Sequence, residues 1–135
     1  MAYDIKEIEG IGPSYAEKLV AAKIATTDDL LNLCGTPQGR KAVAEKTGLS
    51  ESTLLKWSNL ADLMRVSGVG PQFAELLEAA GVDTIKELRT RNAENLAEKM
   101  SEVQQAKKIA KVAPAAKVIA GWIDAAKKME PKIGH

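Results

Sequence analysis

Residues 8–19 read IEGIGPSYAEKL and residues 66–77 read VSGVGPQFAELL. Both spell apolar, any, Gly, apolar, Gly, Pro, any, aromatic, Ala, Glu, any, Leu. The agreement runs outward at the same offset of 58 residues: Ile5, Ala22, Ile24, Thr26 and Leu30 precede Leu63, Ala80, Val82, Thr84 and Leu88. Agreement of this length reads as an internal duplication. Later the offset drifts, with Val43-Ala44-Glu45-Lys46 resembling Leu96-Ala97-Glu98-Lys99, and Trp57, Ala61 and Met64 resembling Trp122, Ala126 and Met129 in spacing. Each half is therefore expected to close on a Trp-bearing helix. The boundaries follow as a first repeat over 1–56 and a second over 57–135, sharing a helix over 50–65. Leu54, Leu55, Leu60, Leu63 and Met64 keep helical spacing along that helix, which leaves no room for a flexible linker.

A chain of 135 residues is long enough to bury a core without a covalent staple. It is 45% apolar with only one Phe, two Tyr and two Trp, and this Ala-, Leu-, Lys- and Glu-rich mix favours helix over sheet. The expected fold class is all-α. Cys34, the single cysteine, has no partner for an internal disulfide, and no apolar run resembles a signal peptide or a spanning helix. A cytoplasmic protein with no membrane partner is the expectation. Formal net charge is +1, so the whole molecule carries no field that announces nucleic acid. Basic residues concentrate at the end, with seven basic and three acidic side chains in 101–135.

Local signals give a helix map. A short helical turn over Asp4–Glu9 is broken by Gly10 to Gly12, and Pro13 suits the first position of a helix reaching about Lys23. Thr26 or Thr27 caps a helix ending near Leu33, Thr36 caps one starting at Pro37 and stopped by Gly48, and Ser50 caps the shared helix. Helices are then expected over Pro71–Ala80, Thr84–Thr90, Asn92–Met100, Ser101–Lys111 and Pro114–Met129, with Gly81 as a stop.

Two glycines bracketing one apolar residue between helices, followed by Ala and Leu, resemble the helix-hairpin-helix motif. Two in tandem resemble the paired, SAM-like domain of many DNA repair and recombination proteins. The resemblance implies a phosphate cradle in which main-chain N–H groups and the positive end of the second helix face a phosphate oxygen, reading no base. Gly10, Gly12, Gly68 and Gly70 would carry the contact. Pro13 and Pro71 have no N–H to give, so the remaining donors fall at Ser14, Tyr15, Gln72 and Phe73. In some relatives a monovalent cation sits beneath the hairpin carbonyls. No other cofactor and no metal is expected. The phrases IEGIGPSYAEKL, TPQGRKAVAEKTGLSESTLLKW, ADLMRVSGVG and LLEAAGVDTIKELRTRNAENLAEKM also resemble an uncharacterised bacterial family built from two such repeats.

The chain departs from the phosphate-gripping form in one respect. Lys or Arg commonly follows the second glycine, whereas Pro13-Ser14 and Pro71-Gln72 stand here, and Glu9 lies inside the first turn. The second turn, with Ser67 in that place and Arg65 just upstream, is the better candidate. Gly-x-Gly turns also serve simply to let two helices cross. Lys107, Lys108 and Lys111, on helices with Ile109, Val112, Val118, Ile119, Trp122 and Ile123 on the apolar side, would either track a phosphate backbone or form a solvated face. Residues 40–57 match a helix-turn-helix spacing, but Glu51, Ser52, Thr53 and Lys56 make a poor base-reading face, so an ordinary helical corner is expected. Tyr15, Phe73, Trp57 and Trp122 read as core.

No catalytic constellation emerges. The single histidine is the final residue, His135, either native or a purification-tag remnant; zinc spacing and a phosphate loop are missing, and Asp28-Asp29 falls at a helix start. Two readings follow: a non-catalytic module holding duplex or junction DNA by its backbone, or a protein-interaction module that keeps the architecture without DNA. Neither needs a small-molecule substrate.

Overall fold

The computed structural model describes residues 3–134, so His135 lies outside the described residues. After a single 3₁₀ turn, Ile5–Glu7, come α1 (Pro13–Ala21), α2 (Thr27–Cys34), α3 (Pro37–Thr47), α4 (Glu51–Leu63), α5 (Pro71–Ala79), α6 (Ile85–Leu88), α7 (Ala93–Lys107) and α8 (Ala116–Lys127). The described residues are all-helical apart from one isolated bridge between Asp4 and Thr26.

Most helix starts follow from one local rule. Thr26, Thr36, Ser50, Thr84 and Asn92 sit in extended backbone and accept an N–H from the first turn of α2, α3, α4, α6 and α7. At α2 the cap is reciprocal, because the Asp29 carboxylate accepts the Thr26 amide in return. Gly48 and Gly81, both at positive φ, end their segments. The α3–α4 junction at 40–57 is a helical corner.

Several boundaries differ from the sequence expectation. Residues 92–111, expected to hold two helices, hold one: Ser101 lies inside α7, which runs to Lys107 and ends at Lys108 with φ 52°. Residues 109–115 are irregular, their path held by Gln104, whose side-chain amide pairs with both the N–H and the carbonyl of Ala110. The last helix begins at Ala116, not Pro114, and α6 is four residues long. Helix α1 stops at Ala21 because Lys23 takes a left-handed backbone. Val112 and Val118, read as core-facing, are exposed instead.

The core joins all parts of the chain. Ile5, Ile8, Leu19, Ile24, Leu30, Leu54, Leu63, Leu77 and Leu88 are almost fully buried, each worth roughly 2 kcal/mol of transfer free energy. Helix α2 packs on α4, α5 lies against α4 and α7, and α8 covers α6 and α7. Asp62 of α4, 1% exposed, accepts the Ile85 amide of α6 at 2.9 Å and the Arg65 guanidinium at 2.7 Å. Both ends of the chain return to α2. The Tyr3 carbonyl accepts the Thr27 amide, and the Gly134 amide donates to Gly35 at its far end. Buried Arg40 fixes that second contact, donating to the carbonyls of Cys34, Gly35 and Gly134. Burial pushes the adjacent Cys34 thiol up to about 11, with Arg40 opposing.

Candidate functional site

The two glycine turns have matching backbones. Gly10 and Gly68 stand at φ 95° and 92°, a left-handed conformation that disfavours any side chain. The next residue folds back in each: Ile11 N–H donates to Ile8 at 3.1 Å and Val69 N–H to Val66 at 3.0 Å. Their side chains are buried as plugs. Gly12 and Gly70 then cap α1 and α5 in extended backbone, at φ −83° and −86°. Pro13 and Pro71 occupy the first helical position, as the sequence indicates.

Each of the five polar caps satisfies one first-turn amide of its helix, whereas α1 and α5, like α8, have no such cap. No side chain caps α1 or α5. Among the described residues, the N–H groups of Gly12, Ser14 and Tyr15 in the first turn, and of Gly70, Gln72 and Phe73 in the second, meet no acceptor. Gly10, Gly12, Ser14, Gly68 and Gln72 are exposed and Gly70 is half-buried. A Cβ built on Gly12 or Gly70 meets no atom within 4 Å. Neither φ nor space demands glycine at either place, although an N-cap favours glycine over alanine; the open amides are a feature of the outer surface.

Beneath each turn lies a tryptophan. Trp57 and Trp122 are 3% and 4% exposed, in contact with Tyr15 at a ring separation of 5.4 Å and with Phe73 at 5.3 Å. Their Nε1 atoms come within 3.4 Å and 3.2 Å of where a Cβ would stand on Gly10 and Gly68. Neither indole N–H donates to an acceptor among the described residues. Tyr15, read as core, is 42% exposed. Sequence alone misses the indole donors, since a core tryptophan reads the same whether or not its N–H is paired.

Charge divides the two turns. The first borders a cleft of about 520 Å³ formed by Glu9 and Gly10, Lys56, Trp57 and Leu60 of α4, Glu75, Glu78 and Ala79 of α5, and Lys107 and Ile109. Burial pushes the Glu75 carboxyl upward, Glu9 and Glu78 push it further, and Lys56 and Lys107 oppose them. The second turn borders a shallower hollow of about 460 Å³ in which Gly68, Gly70, Pro71, Gln72 and Phe73 are joined by one carboxylate, Glu7.

The expected cationic helpers are only partly assembled. Arg65 is bound to Asp62, and Arg91 to Glu87 and the Gly81 carbonyl. Lys107 reaches the first cleft, whereas Lys108 and Lys111, both exposed, line neither hollow. Among the described residues no group of three His, Cys, Asp or Glu gathers to hold a metal ion, and no helix is long and apolar enough to cross a membrane.

The family described as Domain of unknown function (DUF4332) matches residues 9–129. The chain belongs to that family. No curated protein and no solved structure matches it. The DUF4332 span takes in both glycine turns and both tryptophans, and it ends before the tail that returns to Arg40.

Proposed function

We propose that this DUF4332 chain is a non-catalytic module that binds nucleic acid by its phosphate backbone without reading sequence. In this reading the two turns are duplicated helix-hairpin-helix elements, one in 1–56 and one in 57–135. One observation carries it: Gly12 and Gly70 have ordinary φ and empty space around them, yet both are glycine and both leave N–H groups unpaired at a helix start. A glycine that neither φ nor packing demands suits the close approach of an outside group, and unpaired amides at the positive end of a helix suit an anion. Ser14 and Gln72 extend the donor set by one residue each. Arg65, Lys107, Lys108 and Lys111 add a longer-range attraction. The second turn has one carboxylate at its hollow and the first has three, two of them offset by Lys56 and Lys107. We take the second as the stronger because no carboxylate lies inside its turn, where Ser67 stands in the place of Glu9.

Fluorescence anisotropy with labelled duplex and four-way-junction DNA tests the reading. With about two phosphates engaged, affinity falls roughly tenfold between 50 and 200 mM salt. Gly70→Glu weakens binding about tenfold by placing a carboxylate against the phosphate, and Gly12→Glu weakens it less. Both variants are expected to stay folded, since a Cβ at either place meets no neighbour, and thermal melts check it. Binding that ignores Gly70→Glu in a folded protein refutes the turns as the site.

A second reading rests on the first cleft, where Glu9, Glu75 and Glu78 oppose phosphate. That cleft suits a protein partner better than DNA. Absence of any salt-dependent DNA binding favours it.

A further inference from the structure

We propose that Trp122 donates its indole N–H to a non-bridging oxygen of the phosphate held at the second glycine turn, supplying the side-chain contact that Pro71-Gln72 does not. The inference rests on the phosphate-backbone reading above. An indole N–H is a donor only, and one with no acceptor inside the chain is free to bond water or an outside group. Trp122 is 4% exposed, and its Nε1 has no acceptor among the described residues. The atom lies at the turn itself, 3.2 Å from the Cβ position of Gly68, which is exposed. A side chain at residue 68 would cover the N–H; glycine leaves it reachable. Phe73, in the first turn of α5, contacts the indole with rings tilted at 52°. The indole is thus packed against α5, the element that carries the open Gln72 and Phe73 amides, and its N–H lies behind Gly68, which borders their hollow.

Trp57 provides an internal control. It sits under Gly10 in the same way, with Nε1 3.4 Å from the Cβ position and Tyr15 as its ring partner. There, however, Glu9 lies inside the turn, and Glu75 and Glu78 share the cleft with Lys56 and Lys107.

The full-length chain, labelled with ¹⁵N, has two indole N–H cross-peaks, assigned by Trp122→Phe. Titration with a 12-base-pair duplex moves the Trp122 indole proton downfield together with the Gly70 and Gln72 amides, and moves that of Trp57 less. Trp122→Phe lowers duplex affinity about tenfold, the scale of one hydrogen bond to a charged group. Should that variant unfold, benzothienylalanine at 122 keeps the bicyclic shape with sulfur in place of N–H, and the same loss is expected at an unchanged melting temperature. A Trp122 peak that stays still while the Gly70 and Gln72 amides move overturns the indole contact and leaves the backbone reading standing. Stillness of all three overturns both. An equal indole shift with inorganic phosphate at matched phosphate concentration assigns the contact to a free anion and overturns the nucleic-acid assignment.

Discussion

Gly10 and Gly12 stand two residues apart and answer to different demands. At φ 95° Gly10 is where a left-handed backbone is needed, and a Cβ there comes 3.4 Å from the Trp57 Nε1. Gly12, in extended backbone with empty space around it, has neither constraint. Gly10→Ala is expected to cost about 1–2 kcal/mol of stability, the price of a left-handed L-residue, and Gly12→Ala about 0.5–1 kcal/mol as the change of an N-cap. Urea unfolding of the two variants measures the difference. The same contrast separates Gly68 from Gly70, so the pattern Gly-x-Gly combines one glycine for folding with one for the surface.

At the scale of elements, α4 and α6 are joined through a carboxylate. Asp62 is the acceptor for the Ile85 amide at the start of α6 and for Arg65 one turn along α4. Asp62→Ala leaves a buried N–H and a half-buried guanidinium unmatched, for an expected loss of about 2–4 kcal/mol by urea unfolding. Helix starts were largely readable because a cap is a local event: Thr26, Thr36, Ser50, Thr84 and Asn92 each announce themselves within four residues. Helix ends were less so. Lys23 and Lys108 take left-handed backbone that glycine usually marks, and Ser101, a residue type that often caps, continues a helix whose Met100 is fully buried. Of the candidate site, the glycines and their exposure were legible from spacing. The pairing of Arg65 with Asp62, the gathering of Glu75 and Glu78 opposite Glu9, and the unpaired indoles were not, because each depends on which helices meet.

For the molecule as a whole, a net charge of +1 conceals uneven titration. Glu75 holds its proton to higher pH in the folded state than its ordinary value of 4.5, through burial and then through Glu9 and Glu78. Below that ordinary value both states are protonated and the group is neutral in effect. As pH rises through the window above it, the unfolded chain ionises first and stability falls. Glu75→Gln therefore raises the melting temperature at pH 7, and the gain fades by about pH 4; thermal melts at the two values measure it. Asp29 works in the opposite sense. The Ala25 amide first, with Thr26, holds its carboxyl below the usual range, so its contribution is present at neutral pH and lost as acid protonates it.

Because Tyr3 is fastened at the start of α2 and Gly134 at its finish, the two extremities lie about one eight-residue helix apart, roughly 12 Å. Some four extended residues bridge that gap. The polypeptide is thus nearly a ring held shut by a helical clasp. Cutting it in the irregular stretch at 109–115 and joining residue 134 to residue 3 through a short linker would give a circular permutant with the same packing.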